Sequence, residues 1–569
     1  MASKSYVIIK DAPKLDYMNN FTSLPKYYGT KKYFKRKDIK AIRETVYAAL
    51  DDLDEKTHFT DELKDYKRIL IKPNLVFVYH NVSLDKKDYP ENTDPRVFEA
   101  VVSYIKQYND NITIIESAGK PYPTKTAFKA AGYDKIAKYY NTGLIAMELQ
   151  PVVRYILPKA EVMNEVYLPK ILDEVVRGDA YYISVPKMKT NLYTGVTLGF
   201  KNAMGTIPYF LRERNHTHDI DKKLADLLYL FKPNLTVIDG IIGGEGNTPS
   251  PVDPVKVGKI VASNQSVEAD RITTYMMGFD PEKNKLLIEA TKRNFGDDKV
   301  EIIGDTTVTP FRPAIASLMD EKTAREFPNL MAVTGHNLPG VPEITDPNSV
   351  TPEMVLQIEQ ACTGGCLASV KFGLDFFNHK KSMKGENVKV CVIEGPGIVV
   401  NGTRYWWDKN GKPYTKEDLE ALPMKKYGMG NCTLATCGDI CFWKATGCAD
   451  PAKCASLICM AGGSVIPIVN PANPWLIPTG LRLVEMILVR ALGALRGKPC
   501  DAPTLSHNDA VFPLPKLSKK DMEKDYISVP MPRMGPIKRV KQAVMQTYLM
   551  LCALPLNINK KYGKDGLNH

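Results

Sequence analysis

A chain of 569 residues is too long for one ordinary hydrophobic core, so two or three domains are expected. Its 44% hydrophobic and 25% charged residues exclude a disordered chain, and no uninterrupted apolar run is long enough to cross a bilayer. The formal charge of +12 comes without a basic stripe interleaved with aromatics, which sets nucleic acid aside and leaves an anionic small molecule as the expected ligand.

The N-terminal stretch MASKSYVIIKDAPKLDYMNN lacks the apolar core of a secretory signal, so the expected location is cytoplasmic. Short apolar runs then recur: YVIIK (6–10), RILIK (68–72), ITIIES (112–117), YYISVP (181–186), LTVIDG (235–240) and KIVAS (259–263). Each is stopped by a polar, Gly or Pro residue, the pattern of strands buried on both faces. Helical patterns lie between them over Ile39–Leu53, Val97–Tyr108, Thr126–Tyr140 and Lys222–Leu230, with Asp94 capping a helix that Pro95 opens. The alternation predicts an α/β fold over 1–340, a mostly parallel sheet with helices on both faces.

A Pro-rich connector, His336–Pro352, leads into a smaller cysteine-rich domain over 350–470, where VKVCVIEG (388–395) is the clear strand. Residues 471–569 form an irregular, partly helical, basic C-terminal extension. Leu483–Leu495 and Val544–Leu556 read there as buried or amphipathic helices. The basic segment Pro532–Gln542, just ahead of the second, leaves peripheral membrane contact as a minor expectation.

Ligands in open α/β sheets bind outside the carboxyl ends of the strands. Polar residues gather at those positions in the sequence. RILIK-PN delivers Lys72 and Asn74, and YYISVP is followed by Lys187, Lys189, Thr190 and Asn191. GVTLGF ends at Lys201 and Asn202, and LTVID delivers Asp239 ahead of a glycine-rich loop, Gly243 to Asn247, that contains Glu245. Lysines converging on one crevice would hold a carboxylate or phosphate, and the glycines would let backbone N–H groups approach it. The same lysines could be solvated loop residues, and Asp239 could be base, acid, metal ligand or turn cap. The pair His216 and His218 lacks a third ligand at matching spacing and reads as a polar loop.

The segments VPKMKTNLYTGVTLGFKNAMGTIP (185–208), IKPNL (71–75), ESAG (116–119), KPNLTVIDG (232–240) and GGEGNTP (243–249) together resemble the family called domain of unknown function 362. The resemblance spans about residues 65–280 and implies that Lys72, Asn74, Lys187, Lys189, Lys201, Asn202 and Asp239 occupy motif positions. It supplies no reaction, but members are commonly coupled to cysteine motifs that bind [4Fe-4S] clusters. Where the family usually has a histidine after the paired lysines this chain has Asn191, so a proton-transfer role at that position does not carry over.

Nine of the eleven cysteines fall between Cys362 and Cys459. In a reducing compartment such a block points to thiolate ligation of iron, since export for disulfides lacks a signal and the paired C-x2-C spacings of zinc are missing. Cys362 and Cys366 enclose two glycines. The family resemblance implies Cys362, Cys366, Cys432 and Cys448 as the ligands of one [4Fe-4S] cluster. Cys437, Cys441, Cys454 and Cys459 could bind a second metal or replace members of that set, Cys391 reads as a core thiol, and Cys500 and Cys552 have no assignment.

The expectation is an iron–sulfur redox protein, a reductase supplied by an electron-donor protein. Lys72, Asn74, Lys189, Asn202 and Glu245 would bind the anionic substrate, with Lys187, Lys201 and Asp239 as catalytic groups that stabilise developing charge and supply the proton. Two alternatives stand beside it: a non-enzymatic electron carrier or cluster-bearing subunit, and a redox-neutral isomerase or lyase with a structural cluster.

Overall fold

The computed structural model describes residues 4–76, 88–119, 123–207, 219–248, 251–361 and 397–420, with shorter pieces at 367–368, 371, 374–375, 379, 390–395, 434–437, 476–495, 514–531, 535–537, 539–541 and 543–544. The apolar runs build a large mixed sheet. Its strands are β1 (Tyr6–Asp11), β2 (Arg68–Pro73), β3 (Ile112–Glu116), β4 (Gly143–Ala146), β7 (Ala180–Val185), β8 (Lys187–Asn191), β9 (Gly195–Thr197), β10 (Leu235–Glu245), β11 (Asp253–Ser263) and β12 (Glu301–Ile303). The order is β12-β1-β11-β10-β7-β2-β3-β4, with β8 joined to β10 and β9 to β8.

Strands β10, β7, β2, β3 and β4 are mutually parallel, as the alternation predicts. Two strands run the other way: β11, antiparallel to β10 on one side and to β1 on the other, and the short β9, antiparallel to β8. KIVAS therefore belongs to a strand that folds straight back from β10, too short a connection for a crossover helix.

Successive residues of β2 face opposite cores. Ile69 and Ile71 pack with Ile42, Val97 and Phe128, whereas Leu70 packs with Leu172, Leu224 and Leu287. Helices thus cover both faces, and each fully buried aliphatic side chain contributes about 1.5–3 kcal/mol. Asp94 caps helix Pro95–Ile105 as expected, accepting from Arg96 N at 2.9 Å. The pattern over Thr126–Tyr140 resolves into two helices, Thr124–Ala131 and Tyr133–Tyr140, because Gly132 between them takes φ 90°.

A second sheet contains β13 (Leu330–Thr334), β14 (Val390–Glu394), β15 (Ile398–Val400), β16 (Thr403–Trp407), β17 (Pro413–Tyr414) and β18 (Leu434–Cys437). Its order is β15-β16-β13-β14-β18, with β17 on β16, and β13, β14 and β18 run parallel. It starts ahead of the connector His336–Pro352, which lies between two of its strands. A third sheet joins β5 (Val152–Ile156) and β6 (Glu165–Pro169) to β19 (Ile527–Val529). Part of the C-terminal extension is thereby built into the α/β region, with Lys159 Nζ 2.6 Å from Asp525 Oδ1 alongside.

Candidate functional site

The carboxyl end of β2, the strand β8 that follows β7, and the middle of β10 carry the polar residues picked out by the sequence, and they are dry. Lys72 is 1% exposed, and its ammonium donates to Glu116 Oε2 at 2.9 Å, Asn202 Oδ1 at 2.9 Å and Pro73 O at 3.0 Å. Those three acceptors match the three protons of a lysine ammonium. Glu116 is held in turn by Leu75 N and Ser117 N. Asn202 also accepts from Asn74 Nδ2 at 3.3 Å and donates to Ser184 Oγ at 3.0 Å. Gly205 closes over this group: a Cβ there would stand 2.6 Å from Lys72 Nζ and 2.8 Å from Glu116 Oε1.

Asp239 and Lys187 are in register on adjacent parallel strands, and Lys187 Nζ lies 2.8 Å from Asp239 Oδ2. The same oxygen accepts from Asp94 N at 2.7 Å, while Asp239 Oδ1 accepts from Ile241 N. Asp94 joins this pair to a further one, since its carboxylate takes Arg96 and Arg96 reaches Asp38 at 2.8 Å. Burial pushes the Asp94 carboxyl above the usual range against the pull of Arg96, and the neighbouring charge of Asp239 adds to that.

Lys189 is different. Its ammonium donates to the backbone carbonyl of Glu91, and the Glu91 carboxylate stays 3.9 Å away. Glu91 Oε1 accepts from Val252 N, but Oε2 has no hydrogen-bond partner although the residue is 0% exposed. Burial lowers Lys189 to about 8, opposed by Glu91, and burial raises Glu91 to about 7, opposed by Lys189. Lys187, Glu116 and Lys72 all act electrostatically on Lys189, which places the three lysines in one group.

The remaining sequence candidates lie otherwise. The turn that delivers Lys201 and Asn202 is pinned by the buried Asp270, which accepts from Gly199 N at 2.6 Å and Phe200 N at 3.0 Å. Lys201 falls within electrostatic reach of Asp221 on helix Ile220–Leu227. Glu245 binds Arg312, with Nε at 2.6 Å and N at 2.8 Å. The expected glycine loop is strand up to Glu245. Gly240, Gly243 and Gly244 admit Met188, Phe311 and Val252, whose atoms would stand 2.6, 2.5 and 2.9 Å from a Cβ. These glycines make room for packing rather than for a ligand.

Glu91, Asp94, Arg96 and Glu116 also belong to this group, and none of them was a site candidate from the sequence. Glu116 stood in the ESAG motif, and the other three in the polar run Glu91-Asn92-Thr93-Asp94-Pro95-Arg96, whose charge density was the available signal. Cys362, Cys366, Cys432 and Cys448 lie outside the described residues, as do Cys441, Cys454, Cys459, His216 and His218. Cys391 falls in β14 as expected, and Cys437 ends β18. Among the described residues no group of three or more His, Cys, Asp or Glu side chains is placed to hold a metal ion.

At the carboxyl end of the second sheet, Thr334, Glu394 and Cys437 stand side by side in register. Glu394 is 0% exposed, and neither carboxylate oxygen has a hydrogen-bond partner. Thr334 favours the charged form slightly without making a bond of normal geometry. Burial, then the charge of Glu359, drive the Glu394 carboxyl well above its ordinary range.

This is an α/β protein with buried, charge-balanced lysines at the carboxyl edge of its main sheet. Residues 69–275 match the family described as Domain of unknown function (DUF362). The chain is also similar to Thylakoid-associated protein sll1697 of Synechocystis sp. (strain ATCC 27184 / PCC 6803 / Kazusa), at 26% identity over 230 residues. The match covers 38% of this chain and 65% of that relative's length. No solved structure matches the chain. Among the described residues no helix is long and apolar enough to cross a membrane.

Proposed function

We propose that the protein is a cytoplasmic iron–sulfur redox enzyme, a reductase of an anionic small molecule served by an electron-donor protein. Cys362, Cys366, Cys432 and Cys448 would hold a [4Fe-4S] cluster. Such a cluster supplies single electrons when bound.

The observation that carries this reading is the Lys189–Glu91 couple. Lys72 and Lys187 are committed to Glu116 and Asp239. They act as fixed dipoles at the sheet edge, favouring negative charge on a neighbouring substrate group. Burial brings Lys189 down to about 8 and Glu91 up to about 7, and the unbonded Glu91 Oε2 stands 3.9 Å from the ammonium, so the two groups are matched for proton exchange once they close to hydrogen-bond distance. In this reading Lys189 gives up the proton that accompanies each electron, and Glu91 restores it.

The test is reoxidation of the dithionite-reduced, anaerobically purified protein by a panel of small carboxylates and phosphates, followed through the visible absorbance. Lys189→Met and the shape-conserving Glu91→Gln should keep the cluster spectrum and slow reoxidation by about 10²-fold or more. A wild type that no panel member reoxidises, or variants that match it, would speak for a non-enzymatic electron carrier or cluster-bearing subunit. One observation favours that second reading: the Lys72 and Lys187 ammonium groups already have carboxylate partners inside the fold.

A further inference from the structure

The C-terminal extension shows an uncovered apolar surface that the proposed redox chemistry does not use. Helix Leu476–Leu495 exposes Leu481 (65%), Val484 (53%), Leu488 (55%), Leu492 (49%) and Leu495 (52%). Their spacing of three, four, four and three puts them on one stripe of an α-helix. Large side chains exposed in a row are uncommon on a soluble surface and mark an interaction face. The stripe is bordered by charge: Glu485 pairs with Lys125 of helix Thr124–Ala131 at 2.5 Å and with Arg482 at 2.7 Å, which ties this helix to the α/β domain.

A second stripe repeats the pattern further on. Among the described helical residues 536–537, 539–541 and 543–544, Ile537 is 85% exposed, Val540 55% and Val544 64%, at spacings of three and four. Arg539 and Lys541 lie between them. From Ile527 to Lys564 the sequence has seven Lys or Arg residues and no Asp or Glu. A partner protein would need an apolar groove and an acidic rim to match this. An anionic bilayer surface offers both at once, because apolar side chains enter the acyl boundary while cations stay at the headgroups.

We propose that the C-terminal extension holds the protein on an anionic membrane surface, with the stripes on 476–495 and 536–544 entering the headgroup region. Charges at Arg482, Glu485 and Arg490 interrupt the first helix, so it lies in the interface and does not span. This surface stands apart from the Lys189–Glu91 couple and does not depend on the reaction proposed for it.

The experiment is sedimentation of the full-length protein with phosphatidylglycerol-containing vesicles and with pure phosphatidylcholine vesicles, at low and high salt. The expected result is binding to the anionic vesicles that weakens with salt. Leu488→Asp with Leu492→Asp should lower the partition at least about tenfold. Arg539→Glu with Lys541→Glu should lower it about fivefold per cation, on anionic vesicles alone. Val399→Asp, at an equally exposed site on β15 (54%), should bind as wild type does. Should the double leucine variant fail to fold, Ile537→Asp at the most exposed position replaces it. Absence of vesicle binding, or equal binding by the stripe variants, overturns the proposal. A dimer that the leucine variants convert to monomer, without vesicle binding, overturns it in favour of a second copy as occupant.

Discussion

The two mixed sheets bury acids in opposite ways at the carboxyl edge of their parallel strands. At the main sheet Glu116 and Asp239 each face a lysine, and Asp94 faces Arg96. At the second sheet Glu394 is equally buried and neither oxygen is hydrogen-bonded. A buried carboxylate needs a cation and hydrogen bonds to stay charged, and without them it keeps its proton. The main edge is therefore a set of ion pairs locked by mutual dependence, and the second edge holds an acid that burial makes keep its proton more tightly. The first should break badly when one member is removed, and the second should tolerate neutral replacement.

The largest effect follows from removing one half of a buried pair. Lys187→Met leaves Asp239 buried without its cation, and should cost about 3–5 kcal/mol in urea unfolding. Adding Asp239→Asn should recover much of it, because the amide oxygen can still accept from Asp94 N; no recovery would mean that the pair is not the unit of stability. Gly205→Ala comes next. Its new methyl would meet Lys72 Nζ and Glu116 Oε1, for a loss of about 1–3 kcal/mol by the same measurement.

The third prediction turns on pH. The folded-state pKa of Glu394 lies above the ordinary carboxylate value, so the folded form holds the proton more tightly. Stability is highest below the unfolded pKa and falls as pH rises towards the folded one. Glu91, raised to about 7, adds to the same slope. Glu394→Gln should change the urea midpoint little near pH 5 and raise it by pH 8, flattening the profile; an unchanged profile would show that Glu394 is not the titrating group. The smallest effect is a control: Lys125→Ala removes the part-exposed pair with Glu485 and should cost less than about 1 kcal/mol.

Much of this sheet could be read from the chain. Runs such as RILIK and ITIIES carry apolar residues at consecutive positions (Ile69 to Ile71, Ile114 and Ile115) rather than at alternate ones, and a strand covered on both faces demands that. The segment Lys187-Met-Lys-Thr-Asn191 has no such signal, because its strand character comes from pairing with β10 and β9 and its lysines are neutralised by residues distant in sequence. The glycines after Ile242 look like a loop for a related reason: backbone alone does not announce that Phe311 and Val252 will fill the space above them. Lysines at strand ends pointed to the place where Lys72, Lys187 and Lys189 come together. Their carboxylate partners were not legible, since Glu91 and Glu116 reach them only through the fold. The first exposed stripe of the C-terminal extension was legible as the apolar run Leu483–Leu495, but not which side faces water; the second, Ile537 to Val544, falls mostly in the segment that reads as basic.

The central claim is that thiolates from the cysteine-rich region hold iron next to this charged edge. Anaerobic purification followed by iron, sulfide and electron paramagnetic resonance analysis tests it most directly. The account predicts about four irons and four sulfides per chain, with a reducible signal lost in Cys362→Ser combined with Cys432→Ser. A folded protein without iron, or one whose iron survives that double substitution, would contradict it.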